Sequence, residues 1–233
     1  MKALLLRVAV PRTLRLVALG AIGCCAAALS GCVTATVQEV REAHTGISED
    51  DRVVVLGRKN KTRNETESDF IDCVSEQITQ KSDGVNVMSE SEFVDAVFPW
   101  FEPRTAPLDV DDLSVVISRP LVAERLDEIG VRYLIWIEGN TIRTSEAGRL
   151  TCNVITGTIP ACIGFLSWEN DSNYEASIWD VQEGIHAGRV STEATGTSFV
   201  PAVVVPIPII AQVRQSACTS LSDQLRAFLV SES

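Results

Sequence analysis

Val131-Arg132-Tyr133-Leu134-Ile135-Trp136-Ile137-Glu138-Gly139-Asn140-Thr141-Ile142 decides the fold. In an extended chain, successive side chains point to opposite faces. Val131, Tyr133, Ile135 and Ile137 then share one face, and Leu134 and Trp136 lie on the other. A strand that is apolar on both faces belongs inside a sheet covered on both sides. It needs neighbours, and the sequence supplies them. Upstream, Arg52-Val53-Val54-Val55-Leu56-Gly57 is a short β-branched run ending in glycine, and Val85 to Met88 is a second such run. Downstream, Asn173 to Asp180 alternates, with Tyr174, Ala176 and Ile178 opposite Glu175, Ser177 and Trp179. Gly184 and Gly188 mark a turn, and Arg189 to Phe199 returns as the partner strand.

Helical spacing fills the gaps. Thr66-Glu67-Ser68-Asp69 has the form of a capping box and opens a helix carrying Phe70, Val74 and Ile78 on one side. Ser89 to Glu92 opens a short helix through Phe93, Val94 and Val97, ended by Pro99. Val110 to Ile117 predicts a helical turn. Pro120 suits a first helical position, and the helix after it carries Val122, Leu126 and Ile129 before Gly130 stops it. A last helix has the stripe Val213, Ala217, Leu221, Leu225 and Phe228. The order β-α-β-α-α-β-β-β-α predicts an α/β (α+β) fold in residues 52–233: one domain, with helices packed on a mixed sheet of about five strands.

The start of the chain has a different character. Residues 1–31 hold four cations (Lys2, Arg7, Arg12, Arg15) and no acid, followed by an apolar run from Leu16 to Leu29. That run has signal-peptide length and falls short of the roughly 20 residues of a membrane-spanning helix. It ends in Leu29-Ser30-Gly31-Cys32, which resembles the lipobox of bacterial lipoproteins. The resemblance implies that residues 1–31 are cleaved as a signal peptide and that several acyl chains, palmitate among them, are attached at Cys32. Two or more chains anchor a protein firmly to a membrane. Val33, where the inner-membrane class carries Asp, resembles the class sorted to the outer membrane and facing the periplasm. Residues 32–51 are polar, lack sustained periodicity and read as a lipidated tether.

Removing residues 1–31 takes four of the 20 cations and none of the 31 acids. The mature chain would carry 16 cations against 31 acids, a formal charge of −15. So acidic a chain is a poor nucleic-acid ligand, because that affinity comes from cations on phosphates. Four cysteines remain beyond Cys32, and disulfides persist outside the cytoplasm. Cys152 and Cys162 flank a short loop and can meet, which leaves Cys73 with Cys218 on two helices. The competing state is four buried free thiols.

Catalytic constellations are not legible. His44 lies in the tether and His186 in a turn, neither near a recognisable nucleophile. No G-x-S-x-G, P-loop, dinucleotide fingerprint or H-E-x-x-H is present. No catalytic residue, cofactor site or metal site is assigned. Asp109, Asp111 and Asp112 suit a helix N-terminus better than a cation. Arg58, Lys59, Lys61 and Arg63 form a basic loop, read as solvated beside Glu65, Glu67 and Asp69, with lipid head groups as the alternative. Trp100 with Phe101, and Trp168 with Phe165, read as core lids. Val154–Leu166 and Phe199–Ile210 are apolar loops. Their prolines (Pro160, Pro201, Pro206, Pro208) argue against pore strands and for packing on the domain, with an exposed docking patch as the alternative.

The element order resembles the N-terminal domain of TolB and the periplasmic domain of the curli secretion lipoprotein CsgG. Gly130-Val131-Arg132-Tyr133-Leu134, Cys162-Ile163-Gly164-Phe165 and Tyr174-Glu175-Ala176-Ser177-Ile178-Trp179-Asp180 resemble stretches of envelope lipoproteins of that kind. Fold analogy alone does not give function; together with the anchor, the tether and the lack of a catalytic constellation, it points to a non-catalytic lipoprotein that docks an envelope protein partner or supports assembly of a complex. An oligomeric secretion-channel subunit is the second reading. A small-ligand binder or enzyme is the third.

Overall fold

Val131 to Ile142 is the first half of the sheet's longest strand. The computed structural model describes residues 32–48, 50–59, 65–81, 85–155, 159–203 and 205–230. Within them the chain runs β1 (Val33–Arg41), β2 (Arg52–Gly57), α1 (Ser68–Lys81), β3 (Asn86–Met88), α2 (Glu90–Ala96), α3 (Val110–Ile117) and α4 (Pro120–Glu128). It continues through β4 (Val131–Ile155), β5 (Ile159–Asp180), β6 (Ile185–Ala202) and α5 (Val213–Val230). The sheet is six-stranded and mixed, in the order β1-β6-β5-β4-β2-β3. β2 pairs in parallel with β3 and β4, and the other pairs are antiparallel.

Alternation along the strands builds two cores. Val53, Val55, Tyr133, Ile135, Ile137, Tyr174 and Ile178 face α1 and α5. Val54, Leu56, Leu134 and Trp136 face α2, α3 and α4. The stripe of α5 is fully used: Val213, Ala217, Leu221, Leu225 and Phe228 are all buried. Burying one large apolar side chain stabilises by about 1.5–3 kcal/mol, so this face fixes the helix. Val131 departs from the expected alternation. The register between β2 and β4 slips at Arg52/Val53, and Val131 joins Leu134 and Trp136 in the second core.

The polar stretch after Cys32 is not a tether. Val33 to Arg41 pairs residue by residue with β6, from Val33 opposite Gly196 to Arg41 opposite Gly188. Its alternation is weak because an edge strand buries little: only Val33 and Val37 are partly covered by the core. The sheet therefore has six strands where about five were expected, and the domain begins before residue 52. Val110–Ile117 is a helix of eight residues, so three helices stand where two were expected, with a turn between them.

The residues of the expected capping box also have partners outside the helix, Asp69 being paired with Arg214. The Thr66 hydroxyl donates to the Ile137 carbonyl, and the Glu67 carboxylate turns into the sheet. The largest correction concerns Val154–Leu166. β4 extends to Ile155 and β5 begins at Ile159, so the expected loop is the end of a long hairpin. Pro160 is tolerated because β6 ends at Ala202, opposite Gly164, so around Pro160 β5 pairs with β4 alone. Proline is found at such open edges.

Candidate functional site

Three features meet where β6 outruns β1. Val33 pairs with Gly196, so Cys32 stands just past the end of that ladder. Beyond it, the edge of β6 is taken by the returning chain, with bridges from Phe199 to Ile209 and from Ala202 to Pro206. Phe199 N–H donates to the Ile209 carbonyl, and Ile209 N–H donates to the Phe199 carbonyl. Ser198, fully buried, accepts from the Ala211 N–H at 2.9 Å. A Cβ on Gly196 would stand 3.0 Å from the Ala211 side chain, 3.1 Å from the Cys32 carbonyl oxygen and 2.9 Å from Val213. Only glycine allows this approach. Cys32 is exposed and its thiol is free.

Past this junction β4, β5 and β6 continue as a finger, with no helix over it among the described residues. Phe165 and Phe199 stack at 6.3 Å between centroids. Ile163, Phe165, Val203, Val205, Ile207 and Ile210 are nevertheless exposed. The expectation for Phe199–Ile210 is thus met in its backbone, which folds back onto β6, while much of its apolar surface stays open. Cys152 and Cys162 are directly opposite in the β4–β5 ladder and form a disulfide, with Cα atoms 4.0 Å apart. Cys73 and Cys218 form the second, joining α1 to α5 with Cα atoms 6.4 Å apart. All four are oxidised, so none of them is a thiol nucleophile.

A polar network that the sequence did not reveal lies at the start of α1. The Tyr174 hydroxyl donates to Glu67 Oε2 at 2.9 Å and contacts Thr141 Oγ1 at 2.9 Å. Thr141 N–H donates to Glu67 Oε1, and Thr141 Oγ1 meets Ser172 Oγ at 2.7 Å. Phe70 stacks on the Tyr174 ring. Burial, and then the Glu67 carboxylate, hold the Tyr174 phenol above its ordinary range. An open cleft of about 310 Å³ beside it is lined by Thr141, Asn170 and residues 211–215. Arg214 there is paired with Asp69 at 2.6 Å. A second network ties β4 to the β5–β6 turn. Arg132 pairs with Asp180 at 2.5 Å, and Asp180 accepts from the N–H groups of Gln182 and Glu183. Partial burial disfavours the Arg132 charge, but Asp180 and Tyr133 outweigh it and the net shift is upward.

The remaining candidates have structural partners. Asp109 accepts from the Asp112 N–H at 2.9 Å as the N-cap of α3. Arg58 pairs with Glu138 and Lys59 with Glu90, rather than with the acids of their own loop. Lys61 and Arg63 lie outside the described residues. His186 stands in β6 rather than in a turn, 3.1 Å from Glu42 and edge-on to Trp179. Its hydrogen bond and charge hold the Glu42 carboxyl below the usual range. His44 is exposed. Phe101 is buried edge-on to Phe93, with Trp100 partly buried over the same core. Trp168 lies under Arg143, 5.1 Å from its guanidinium. Among the described residues no helix is long and apolar enough to cross a membrane.

No protein-family model matches the chain, and no curated protein matches it. Among solved structures, the PelC dodecamer from Paraburkholderia phytofirmans is 14% identical over 86% of this chain and 100% of its own, with a TM-score of 0.39. A single-residue variant of that dodecamer gives the same identity and TM-score over 85% of this chain. Likenesses this distant carry no argument about function.

Proposed function

We propose that the chain is a non-catalytic envelope lipoprotein, anchored through lipid on Cys32, that holds a partner protein at the outer membrane on its periplasmic side. The observation that carries this reading is the missing slack between anchor and domain. β1 starts at Val33, one residue after Cys32. A lipid on Cys32 would thus be mounted directly on a strand paired along its whole length. Such a mount fixes the domain's orientation as well as its location, which suits a protein that presents a surface to a neighbour. A long tether would suit one that searches for a soluble substrate.

A second reading, a subunit of an oligomeric channel, draws on the length of β4 and β5, 25 and 22 residues. Membrane strands take about 9–11 residues of alternating apolar and polar type. Pro160 and Pro201 within the finger strands weigh against it.

Native mass measurement on protein extracted from envelope in mild detergent separates the two. One copy of this chain with a stoichiometric second protein supports the docking reading. A closed ring of copies of this chain alone supports the channel. Monomer only, under extraction that preserves other envelope complexes, contradicts both.

A further inference from the structure

The finger adjoins Cys32, and its composition differs from that of the rest of the protein. Leu150 to Trp168 and Ala194 to Val213 contain no Asp, Glu, Lys or Arg, although 22% of the chain is charged. The two segments are distant in sequence and meet in space, because β5 and β6 pair from Gly164–Ala202 downward. The base of the finger carries Arg143, Glu146 and Arg149 on β4 and Glu169 on β5, but beyond Arg149, which pairs with Phe165, its end is charge-free on an acidic protein. It also extends past the anchor. Gly196, level with the start of β1, pairs with Asn170. From Asn170 to Ile159, β5 runs eleven residues further in the direction that leads away from β2 and β3, about 36 Å at roughly 3.3 Å per residue.

We propose that this finger is the membrane-contacting surface of the domain, with Ile163, Phe165, Val203, Val205, Ile207 and Ile210 lying in the interfacial layer of a lipid bilayer. The inference rests on Cys32 being the anchored residue. Acyl chains on Cys32 enter a bilayer only if that residue reaches its surface, and no slack separates it from the sheet. With Cys32 held at the bilayer surface, the finger that extends past it from the same end of the sheet lies along that surface. Acidic side chains are repelled by anionic head groups, and charge near the hydrocarbon is costly, so a charge-free end is the one such a surface accepts. An exposed apolar surface of this kind marks an interaction site. Val115 on α3 and Leu121 on α4 are also exposed, lie on helices well separated in sequence from the finger, and give an internal control.

The test uses mature protein reconstituted in vesicles of phosphatidylethanolamine and phosphatidylglycerol, with a lipid bearing a diazirine in its acyl chain. Irradiation and peptide mapping should place lipid adducts on peptides containing Ile163 to Phe165 and Val205 to Ile210, and not on those containing Val115 or Leu121. A variant with both Val205→Asp and Ile207→Asp should lose the adducts on its segment with an unchanged melting temperature, since both side chains are exposed. Adducts spread equally onto the α3 and α4 peptides would overturn the proposal, as would adducts undiminished in the double variant. Finger-to-finger protein cross-links in place of lipid adducts would also overturn it, naming a second copy as the occupant. The Cys32 peptide in the same digest reports the anchor separately. Acylated Cys32 without finger adducts overturns this proposal alone. Unacylated Cys32 with finger adducts supports it and overturns the anchor.

Discussion

Cys73 and Cys218, 145 residues apart in sequence, are bonded across the seam between α1 and α5. Cys218 is buried beside Ala217 and Leu221, and Cys73 packs against the same core from the neighbouring helix. The bond ties the first helix of the domain to its last. In the chain-entropy model, closing a loop of about 100 residues is worth about 4.7 kcal/mol, against about 3 for one of about 15. The Cys152–Cys162 bond spans only 10 residues, in a hairpin end outside both cores. Replacing Cys73 and Cys218 together by serine should therefore lower the melting temperature more than replacing Cys152 and Cys162 together. Calorimetry on the two double variants checks the order, and the reverse order would contradict the account.

Tyr174 predicts an alkaline instability. Its phenol donates to Glu67 and is held above the ordinary tyrosine range by burial and then by that carboxylate. The folded state thus holds this proton more tightly than the unfolded one. The stabilisation is complete below the unfolded value of about 10 and is lost as the pH rises above it. Tyr174→Phe should cost about 1–2 kcal/mol at neutral pH, the worth of a lost hydrogen bond with its partner left buried. It should also flatten the decline of stability above about pH 10. Urea titrations at several pH values measure both, and equal slopes for variant and wild type would refute the assignment.

Asp180 holds the turn between β5 and β6. Its carboxylate is 3% exposed, pairs with Arg132 and accepts two backbone N–H groups. Asp180→Ala would leave all three donors without it. Full removal of one partner from a buried pair costs about 3–5 kcal/mol, and the partial exposure of Arg132 reduces this to about 2–3 kcal/mol. Asp180→Asn, which keeps an acceptor for the backbone, should lose less. Equal losses in the two would show that the ion pair alone matters.

Gly196 allows the approach of Cys32 and Ala211 to β6. A Cβ there would stand within 3.1 Å of Val213, Ala211 and the Cys32 backbone. Gly196→Leu should force β1 or the returning segment off the edge, at about 1–3 kcal/mol for overpacking. Amide exchange should rise in Thr34 to Val37 before it rises in β4. Unchanged protection in β1 would place the strain elsewhere.

The sequence was legible where burial is deep and periodic. Tyr133, Ile135 and Ile137 against Leu134 and Trp136 located the central strand, and the α5 stripe located the helix that covers one face. Both disulfide pairs followed from loop length and elimination. What escaped was set by partners far along the chain. Val33 to Arg41 is exposed over most of its length, so its strand character comes from hydrogen bonds to β6 and not from a buried face. Glu67 read as part of a capping box because nothing local shows Tyr174, 107 residues away, waiting to receive its carboxylate. Pro160 read as a strand breaker because the sequence does not show where β6 stops. The apolar runs at 154–166 and 199–210 were visible, but their meeting beside Cys32 depends on the β1–β6 register.

The central claim is that the chain is held to the membrane at Cys32, with no tether between the anchor and the sheet. Fractionation of wild-type and Cys32→Ala protein from envelope, with a carbonate wash, tests it most directly. The account predicts that wild type stays with the membrane and that Cys32→Ala is released into the soluble fraction, folded and with both disulfides intact. Cys32→Ala protein that still sediments with membranes after the wash would contradict it.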